Sequence, residues 1–228
     1  MIFVAEIGMN YDGNFDIAYE LIRQAKWAGA NIAKFQFGWR DKPGEINCID
    51  IPRAKKLKEW CDYWEIEMMV SPISESGFEL AQSLDLRRYK IASRTVVDNP
   101  DLVKRVLDQD KETFISLGFW KKEVLPFGNP NNNMRYIFCQ SSYPAYPEEL
   151  KHFPKKFTKE KCFGYSDHCH GISACLLAIS RGARFVEKHF TLNKTSPVLR
   201  DHILSATPEE FRKLVDVGRE LGRLVEKI

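Results

Sequence analysis

Hydrophobic residues along this chain fall into short continuous runs that are separated by longer segments of helical periodicity. Eight runs are apolar at most successive positions, which is typical of strands that are covered on both faces. The predicted strands are 2–7, 31–37, 67–71, 88–92, 113–116, 134–139, 161–165 and 184–188. The pattern therefore predicts a sheet that is buried on both sides.

Helical periodicity fills most of the intervals between these runs. In the first interval Leu21 and Ile22 belong to an apolar stripe at i, i+3 and i+4, and Gly29 provides a stop signal. The last helix begins at Thr207, a capping residue followed by proline and two acids. The interval 118–133 is rich in glycine, proline and asparagine, which predicts a loop in place of the fifth helix. The other predicted helices are 52–64, 75–84, 100–108, 147–152 and 172–181.

The alternation of strands and helices restricts the fold. Consecutive strands that are joined by helices pair in parallel through right-handed crossovers. Eight such units close most simply into a (β/α)8 TIM barrel, a fold of about 250 residues. The alternative is an open doubly wound sheet, but no Gly-rich dinucleotide-binding turn follows the first run. The sequence therefore predicts an α/β fold in which residues 1–228 form a single compact TIM-barrel domain.

Composition and charge exclude several classes of protein. The formal net charge is +3, which is too small and too scattered for a nucleic-acid partner. No apolar run approaches the roughly 18 residues of a membrane span. The first residues lack the basic and apolar regions of a signal peptide, and the 6 cysteines are expected to stay reduced. We therefore expect a cytoplasmic enzyme with neither a membrane nor a nucleic acid as partner.

Polar side chains occur at or just after the ends of the predicted strands, where a TIM barrel carries its chemistry. Lysines with hydroxyl groups suit a phosphate and a carboxylate, whereas two neutral imidazoles suit a divalent ion with open positions. Each residue alone has an ordinary structural explanation, and only their convergence at one rim predicts a site. The candidates are Glu6, Lys34, Lys90, Ser93, Ser116, Ser141, Tyr143, Ser166, His168, Glu187 and His189.

A second set of ligand-type residues overlaps the seventh predicted strand. Cys162, His168, Cys169, His170 and Cys175 could form a structural zinc site. Their spacings match no paired-cysteine zinc motif, and Cys175 falls within a predicted helix. A buried thiol that packs as a small hydrophobic group is the better explanation of Cys175.

Short motifs follow one another along nearly the whole chain. The most specific are Gly-Tyr-Ser-Asp-His at 164–168 and Glu-Lys-His-Phe-Thr at 187–191. Others lie at 6–13, 28–36, 89–93, 115–118, 139–147 and 201–205. In this order the motifs resemble the catalytic barrel of the sialic acid synthases, N-acetylneuraminate synthase and its relatives.

The resemblance implies a reaction and a set of roles. Phosphoenolpyruvate would condense with an N-acetylated amino-sugar aldehyde such as N-acetylmannosamine, giving a nine-carbon keto acid and phosphate. His168 and His189 would hold Mn²⁺ or Mg²⁺, which polarises the aldehyde. The implied catalytic residues are Glu6, Lys34 and Glu187, and Glu6 and Asp201 would hold sugar hydroxyls. The implied substrate-binding residues are Lys90, Ser93, Ser116, Ser141, Tyr143, Ser166 and Asp201.

The sequence departs from the pattern of the family at several positions. A water-activating acid after the fourth strand is replaced by Thr95, a hydroxyl residue by Pro72, an amide by Ser141 and a histidine by Tyr11. The sequence also ends after the eighth helix, where the family carries an antifreeze-like domain that supplies a sugar-binding arginine. A homodimer and a separate antifreeze-like subunit are the two partner arrangements that we expect. Two alternative functions stay open: a barrel that binds a ligand or partner without this catalysis, and a synthase of another 3-deoxy-keto acid.

Overall fold

Eight parallel strands close into a barrel in the computed structural model, which describes residues 1–40, 42, 44–150 and 152–227. The strands follow chain order around the barrel, and the eighth strand pairs with the first. They are β1 (Ile2–Gly8), β2 (Ile32–Phe37), β3 (Glu67–Pro72), β4 (Arg88–Ile91), β5 (Glu112–Ser116), β6 (Met134–Cys139), β7 (Gly164–Asp167) and β8 (Phe185–His189). The predicted TIM barrel is therefore confirmed, and the open doubly wound sheet is excluded.

Helices cover the outside of the barrel. They are α1 (Phe15–Trp27), α2 (Ile51–Tyr63), α3 (Glu75–Gln82), α4 (Ser93–Asp98), α5 (Pro100–Leu107), α6 (Ser173–Ser180) and α7 (Pro208–Val225). The expected start of the last helix is confirmed, because Thr207 and Glu210 form a reciprocal capping box at α7. None of the helices within the described ranges is both long and apolar enough to cross a membrane.

The structure confirms the loop that replaces a helix between β5 and β6, corrects two other predictions and adds one helix. The seventh strand was predicted over 161–165, but β7 begins at Gly164, because Cys162 instead forms an antiparallel bridge with Thr158. The predicted helix at 147–152 is only a 3₁₀ turn over Pro147–Glu149, and residue 151 lies outside the described residues. The short helix α4 was not predicted.

The side chains inside the barrel change from apolar to polar between the beginning and the end of the strands. An apolar cluster fills the end at which the strands begin; it consists of Val4, Ile32, Met69, Phe114, Ile137, Phe163 and Phe185. Two residues further along five of these strands, on the same face, stand Glu6, Lys34, Ser71, Ser116 and Glu187. The apolar cluster thus forms the floor beneath a layer of buried polar side chains at the carboxyl ends of the strands.

Candidate active site

Two lysines and two glutamates form a buried charged cluster above the apolar floor. Lys34 Nζ lies 2.5 Å from Glu6 Oε2 and 3.7 Å from Glu187 Oε1. Lys90 Nζ lies 3.9 Å from the same Glu187 oxygen and donates a hydrogen bond to Ser116 Oγ at 2.6 Å. These contacts join β1, β2, β4, β5 and β8, so the predicted convergence of both lysines at one mouth is confirmed.

Lys34 and Glu187 stabilise each other's charge, whereas burial disfavours the charges of Glu6 and Lys90. Burial alone would raise the pKa of Glu187, but Lys34 and Lys90 lower that pKa to about 2. Burial opposes a charge on Lys34, and Glu187 and Glu6 overcome it and raise the pKa of Lys34. Lys90 has a lowered pKa because burial disfavours its ammonium group. Ser166 donates a hydrogen bond to Glu187 Oε1 at 2.7 Å and so helps to hold the shared carboxylate.

The two predicted metal ligands lie side by side at the ends of β7 and β8. The ring centroids of His168 and His189 are 5.4 Å apart, and Tyr143 packs against His168 with centroids 4.0 Å apart. His168 Nδ1 donates a hydrogen bond to the carbonyl oxygen of Gln140 at 2.7 Å, so in the neutral form of this imidazole the free lone pair is on Nε2. Burial lowers the pKa of His189 to about 3, which keeps that imidazole neutral at pH 7.

Two buried polar atoms near these imidazoles are available to an added group. His189 Nδ1 and Asp201 Oδ1 are buried atoms without a hydrogen-bond partner, which is costly unless another group satisfies them. Among the residues that the structure describes, no three or more His, Cys, Asp or Glu side chains form a group that could hold a metal. A site of two imidazoles would therefore leave its other positions to water and substrate.

A cavity of about 780 Å³ opens at this end of the barrel. Several predicted substrate-binding residues line it, namely Ser93, Ser141, Tyr143 and Asp201, together with His189. Its volume lies in the range of small-molecule sites. The buried lysines lie at the level of the polar layer, so the cavity and the charged cluster divide the candidate site into an outer and an inner part.

Three residues of the site were missed as binding residues from the sequence. Gln36 donates to Glu6 Oε1 at 2.6 Å, and Arg94 and Arg200 line the outer cavity. Each stands next to or two residues from a predicted site residue, and that proximity was the signal that could have identified them. Glu6 was expected to hold sugar hydroxyls, but its carboxylate already contacts Lys34 and Gln36. Its contact with a sugar stays a prediction.

The cysteine-rich segment does not form the alternative zinc site. Cys162 Sγ donates to the carbonyl oxygen of Gly164, whereas Cys175 Sγ donates to Asp167 Oδ2 at 3.2 Å. His170 is exposed, and its Nδ1 lies 3.2 Å from the carbonyl oxygen of Ile203. The thiols thus serve local hydrogen bonds. Burial also raises the pKa of Cys175, which disfavours the thiolate that zinc requires.

The metal-free protein is expected to lose stability as the pH falls. An unfolded chain protonates Glu187 near its ordinary pKa of 4.5, while the folded protein protonates it only near 2, so its contribution is complete above 4.5 and lost towards 2. This contribution is on the order of 3 kcal/mol. His189 acts in the same direction, between its ordinary pKa of 6.5 and about 3.

Urea unfolding at a series of pH values, with chelator present, measures this dependence. The Glu187→Gln variant should lose the Glu187 part of the slope, between pH 4.5 and about 2, and keep the His189 part, between pH 6.5 and about 3. An unchanged slope in that variant would contradict the assignment of the low pKa to Glu187.

Comparison with known proteins shows consistent similarity over almost the whole chain. The sequence profile of the NeuB family matches residues 48–227. An uncharacterized protein of Methanocaldococcus jannaschii is 31% identical over 99% of this chain and 71% of its own length. N-acetylneuraminate-9-phosphate synthase of Mus musculus is 29% identical over 98% of this chain and 70% of its length.

A solved structure shows the same relationship in three dimensions. The sialic acid synthetase of Leptospira borgpetersenii, solved in complex with citrate, superposes with a TM-score of 0.83 at 25% identity. The alignment covers 98% of this chain and 84% of that one. Sequence and fold therefore lead to the same group of proteins.

Proposed function

This chain belongs to the NeuB family, and we propose that it condenses phosphoenolpyruvate with an N-acetylated amino-sugar aldehyde of the N-acetylmannosamine type. Its similarity to these relatives supports a phosphoenolpyruvate-dependent synthase of a sialic-acid-like keto acid. The identity of the aldehyde and the nine-carbon product are our proposal. The observation that carries it is the buried cluster of Lys34, Lys90, Glu6 and Glu187 directly beside the paired imidazoles.

We assign phosphoenolpyruvate to the inner part of the site. Lys34 and Lys90 are the buried cations there, and Ser116 and Ser166 bring hydroxyl groups to the same cluster. Their ammonium groups would bind the carboxylate and phosphate of the substrate. Glu187 contacts both lysines, so it keeps their positions and charges defined before the substrate arrives.

We propose that His168 and His189 hold Mn²⁺ or Mg²⁺. A bound ion would supply Lewis acidity that polarises the aldehyde carbonyl. Gln140 fixes the tautomer of His168 through its carbonyl oxygen, and Tyr143 packs against the ring of His168. The protein therefore orients the His168 imidazole through its own contacts.

This chain has no acidic residue at the position after β4 where the family carries the acid that activates water. Thr95 stands there; it is buried, and its Oγ1 has no hydrogen-bond partner among the described residues. The Thr95 side chain lines the cavity, and a buried hydroxyl without a partner is a group that a water molecule would satisfy. We propose that Thr95 holds water rather than removing its proton.

The proposed function is tested by the release of phosphate from phosphoenolpyruvate in the presence of Mn²⁺ and N-acetylmannosamine or related aldoses. The expected result is release that requires the aldehyde and stops on addition of a chelator. The assay is run with the chain alone and with an added antifreeze-like subunit, because a homodimer and such a subunit are both proposed partners. Absence of turnover with every aldose under both conditions would contradict the proposal.

The second candidate, a barrel that binds without this catalysis, is separated by thermal unfolding. Ligands that prefer the native state raise the melting temperature. We expect phosphoenolpyruvate and Mn²⁺ to raise it, in keeping with the buried cations and unpartnered donors of the site. An unchanged melting temperature would favour a barrel that no longer binds phosphoenolpyruvate.

We propose a cytoplasmic location, because all 6 cysteines are free thiols.

Lys34→Ala is expected to weaken phosphoenolpyruvate binding by about 1.5–3 kcal/mol, because it removes a charge-assisted hydrogen bond to the substrate. Calorimetric titration of the folded variant measures the change. The matched control is Lys58→Ala, which removes a lysine from the partly exposed pair with Asp62 on α2 and should leave the affinity unchanged. Equal affinity of Lys34→Ala and the native protein would remove Lys34 from the binding site.

A further inference from the structure

The outer cavity carries an excess of positive charge that the proposed reaction does not use. Its described lining includes three arginines, Arg40, Arg94 and Arg200, and one acid, Asp201. We propose that Arg94 and Arg200 form a subsite for an anionic group, a phosphate or a carboxylate, on the aldehyde substrate. This inference rests on the proposed function and specifies the class of the second substrate as an anionic aminosugar aldehyde.

Both guanidinium groups lie over aromatic rings that line the same cavity. The guanidinium carbon of Arg94 is 4.9 Å from the ring centroid of Phe119, and that of Arg200 is 4.5 Å from that of Tyr143. Stacking holds a guanidinium group by its face and leaves the donors at its edge available. The two arginines are therefore oriented before a ligand binds, as a planar anion with two acceptor oxygens requires.

The acidic neighbours of these arginines do not neutralise them firmly. Arg94 Nη1 lies 3.8 Å from Asp98 Oδ2, and both side chains of this pair are 59% exposed. Arg200 Nε lies 3.5 Å from Asp201 Oδ1, and the Arg200 side chain is 71% exposed. The exposed pair of Arg94 and Asp98 contributes little. Asp201 is 20% exposed, but its Oδ1 makes no hydrogen bond with Arg200. A ligand oxygen that approaches within hydrogen-bond distance can therefore compete for both guanidinium groups.

The inner and outer parts of the site differ in charge balance. Inside, the two lysines Lys34 and Lys90 are matched by Glu6 and Glu187, so this cluster is neutral by count before substrate binds. At the mouth, arginines outnumber acids among the described lining residues. Phosphoenolpyruvate occupies the inner part in our proposal, so the outer charge is left for the other substrate. The cavity of about 780 Å³ has room for a sugar with an added anionic group.

The test is calorimetric binding of three sugars to the Mn²⁺-loaded protein without phosphoenolpyruvate, so that no turnover occurs. The probes are N-acetylmannosamine, its 6-phosphate and the corresponding uronic acid, which separate phosphate from carboxylate as the preferred anion. We expect at least one anionic sugar to bind about 10- to 100-fold more tightly than the neutral sugar, the scale of a hydrogen bond to a charged group. Arg94→Ala combined with Arg200→Ala should abolish the difference.

Two controls make the result specific. Arg223→Ala removes an exposed arginine from the last turn of α7 and should preserve the preference. The affinity for phosphoenolpyruvate, titrated separately, should be the same in the double arginine variant and the native protein. Equal affinity for all three sugars, or failure of all three to bind, would overturn the subsite. The proposed function would then still be judged separately, by the binding of phosphoenolpyruvate. Loss of phosphoenolpyruvate affinity in the double variant would instead assign the arginines to that substrate and overturn the inference.

Discussion

Replacement of His168 or His189 by alanine is expected to abolish divalent-ion binding while the barrel stays folded. Each variant removes one of two imidazoles whose ring centroids lie 5.4 Å apart, and one imidazole alone cannot chelate the ion. A Lewis acid contributes several kcal/mol to the reaction, so we expect kcat/KM to fall roughly 10³-fold or more. Titration of Mn²⁺ followed by the phosphate-release assay measures both effects.

The matched control for these variants is His170→Ala. His170 is the next histidine along the chain from His168, but it is exposed and contacts the carbonyl oxygen of Ile203 instead. Its loss should leave metal affinity and activity unchanged. Circular dichroism should show the same fold for all three variants. Full metal affinity in either His168→Ala or His189→Ala would show that the ion is held elsewhere.

Asp167→Asn is expected to lower the free energy of unfolding by about 3–5 kcal/mol, the cost of leaving a buried charge without its partner. Lys188 Nζ lies 2.9 Å from Asp167 Oδ2, and both side chains are fully buried. Asp167 Oδ1 also accepts hydrogen bonds from Tyr165 and from the backbone of Cys169. Asparagine keeps the size of the side chain, so the decrease in the free energy of unfolding is attributed to the unpaired ammonium group of Lys188. Urea unfolding at pH 7 gives the change.

A second substitution separates charge from shape. When Lys188 is replaced by methionine in the Asp167→Asn variant, no buried charge remains, and most of the stability should return. As a control, Asp62→Ala removes the acid of an exposed pair on α2 and should hardly move the unfolding midpoint. If the double variant is as unstable as Asp167→Asn alone, the lost hydrogen bonds of Asp167, rather than the charge of Lys188, explain the effect.

The ion pair of Asp167 and Lys188 also illustrates what periodicity can and cannot predict. These residues alternate with Ser166 and Glu187 along β7 and β8, and side chains on successive positions point to opposite faces of a strand. The sequence therefore predicts that one set faces the barrel interior and the other faces the helices. It gives no distance between the two strands, so the pairing of Asp167 with Lys188 was not predicted.

Apolar runs predicted the burial of the strands more reliably than their ends. The run at 161–165 predicts a strand because Cys162 and Phe163 are apolar, yet β7 begins only at Gly164. Phe163 belongs to the floor of the barrel, where it packs with its ring centroid 6.1 Å from that of Phe114. Hydrophobicity reports whether a residue is buried, whereas strand bounds depend on hydrogen bonds to a neighbour.

The sequence by itself determined the eight-fold alternation, the loop after β5, and the end of the barrel that carries the polar residues, because these follow from local periodicity and chain direction. Only the tertiary structure decided that Glu6 and Glu187 neutralise Lys34 and Lys90, and that Arg94 and Arg200 share one cavity. Those contacts join residues that are distant in the chain. Their distances depend on how the barrel closes, which no local pattern of residues encodes.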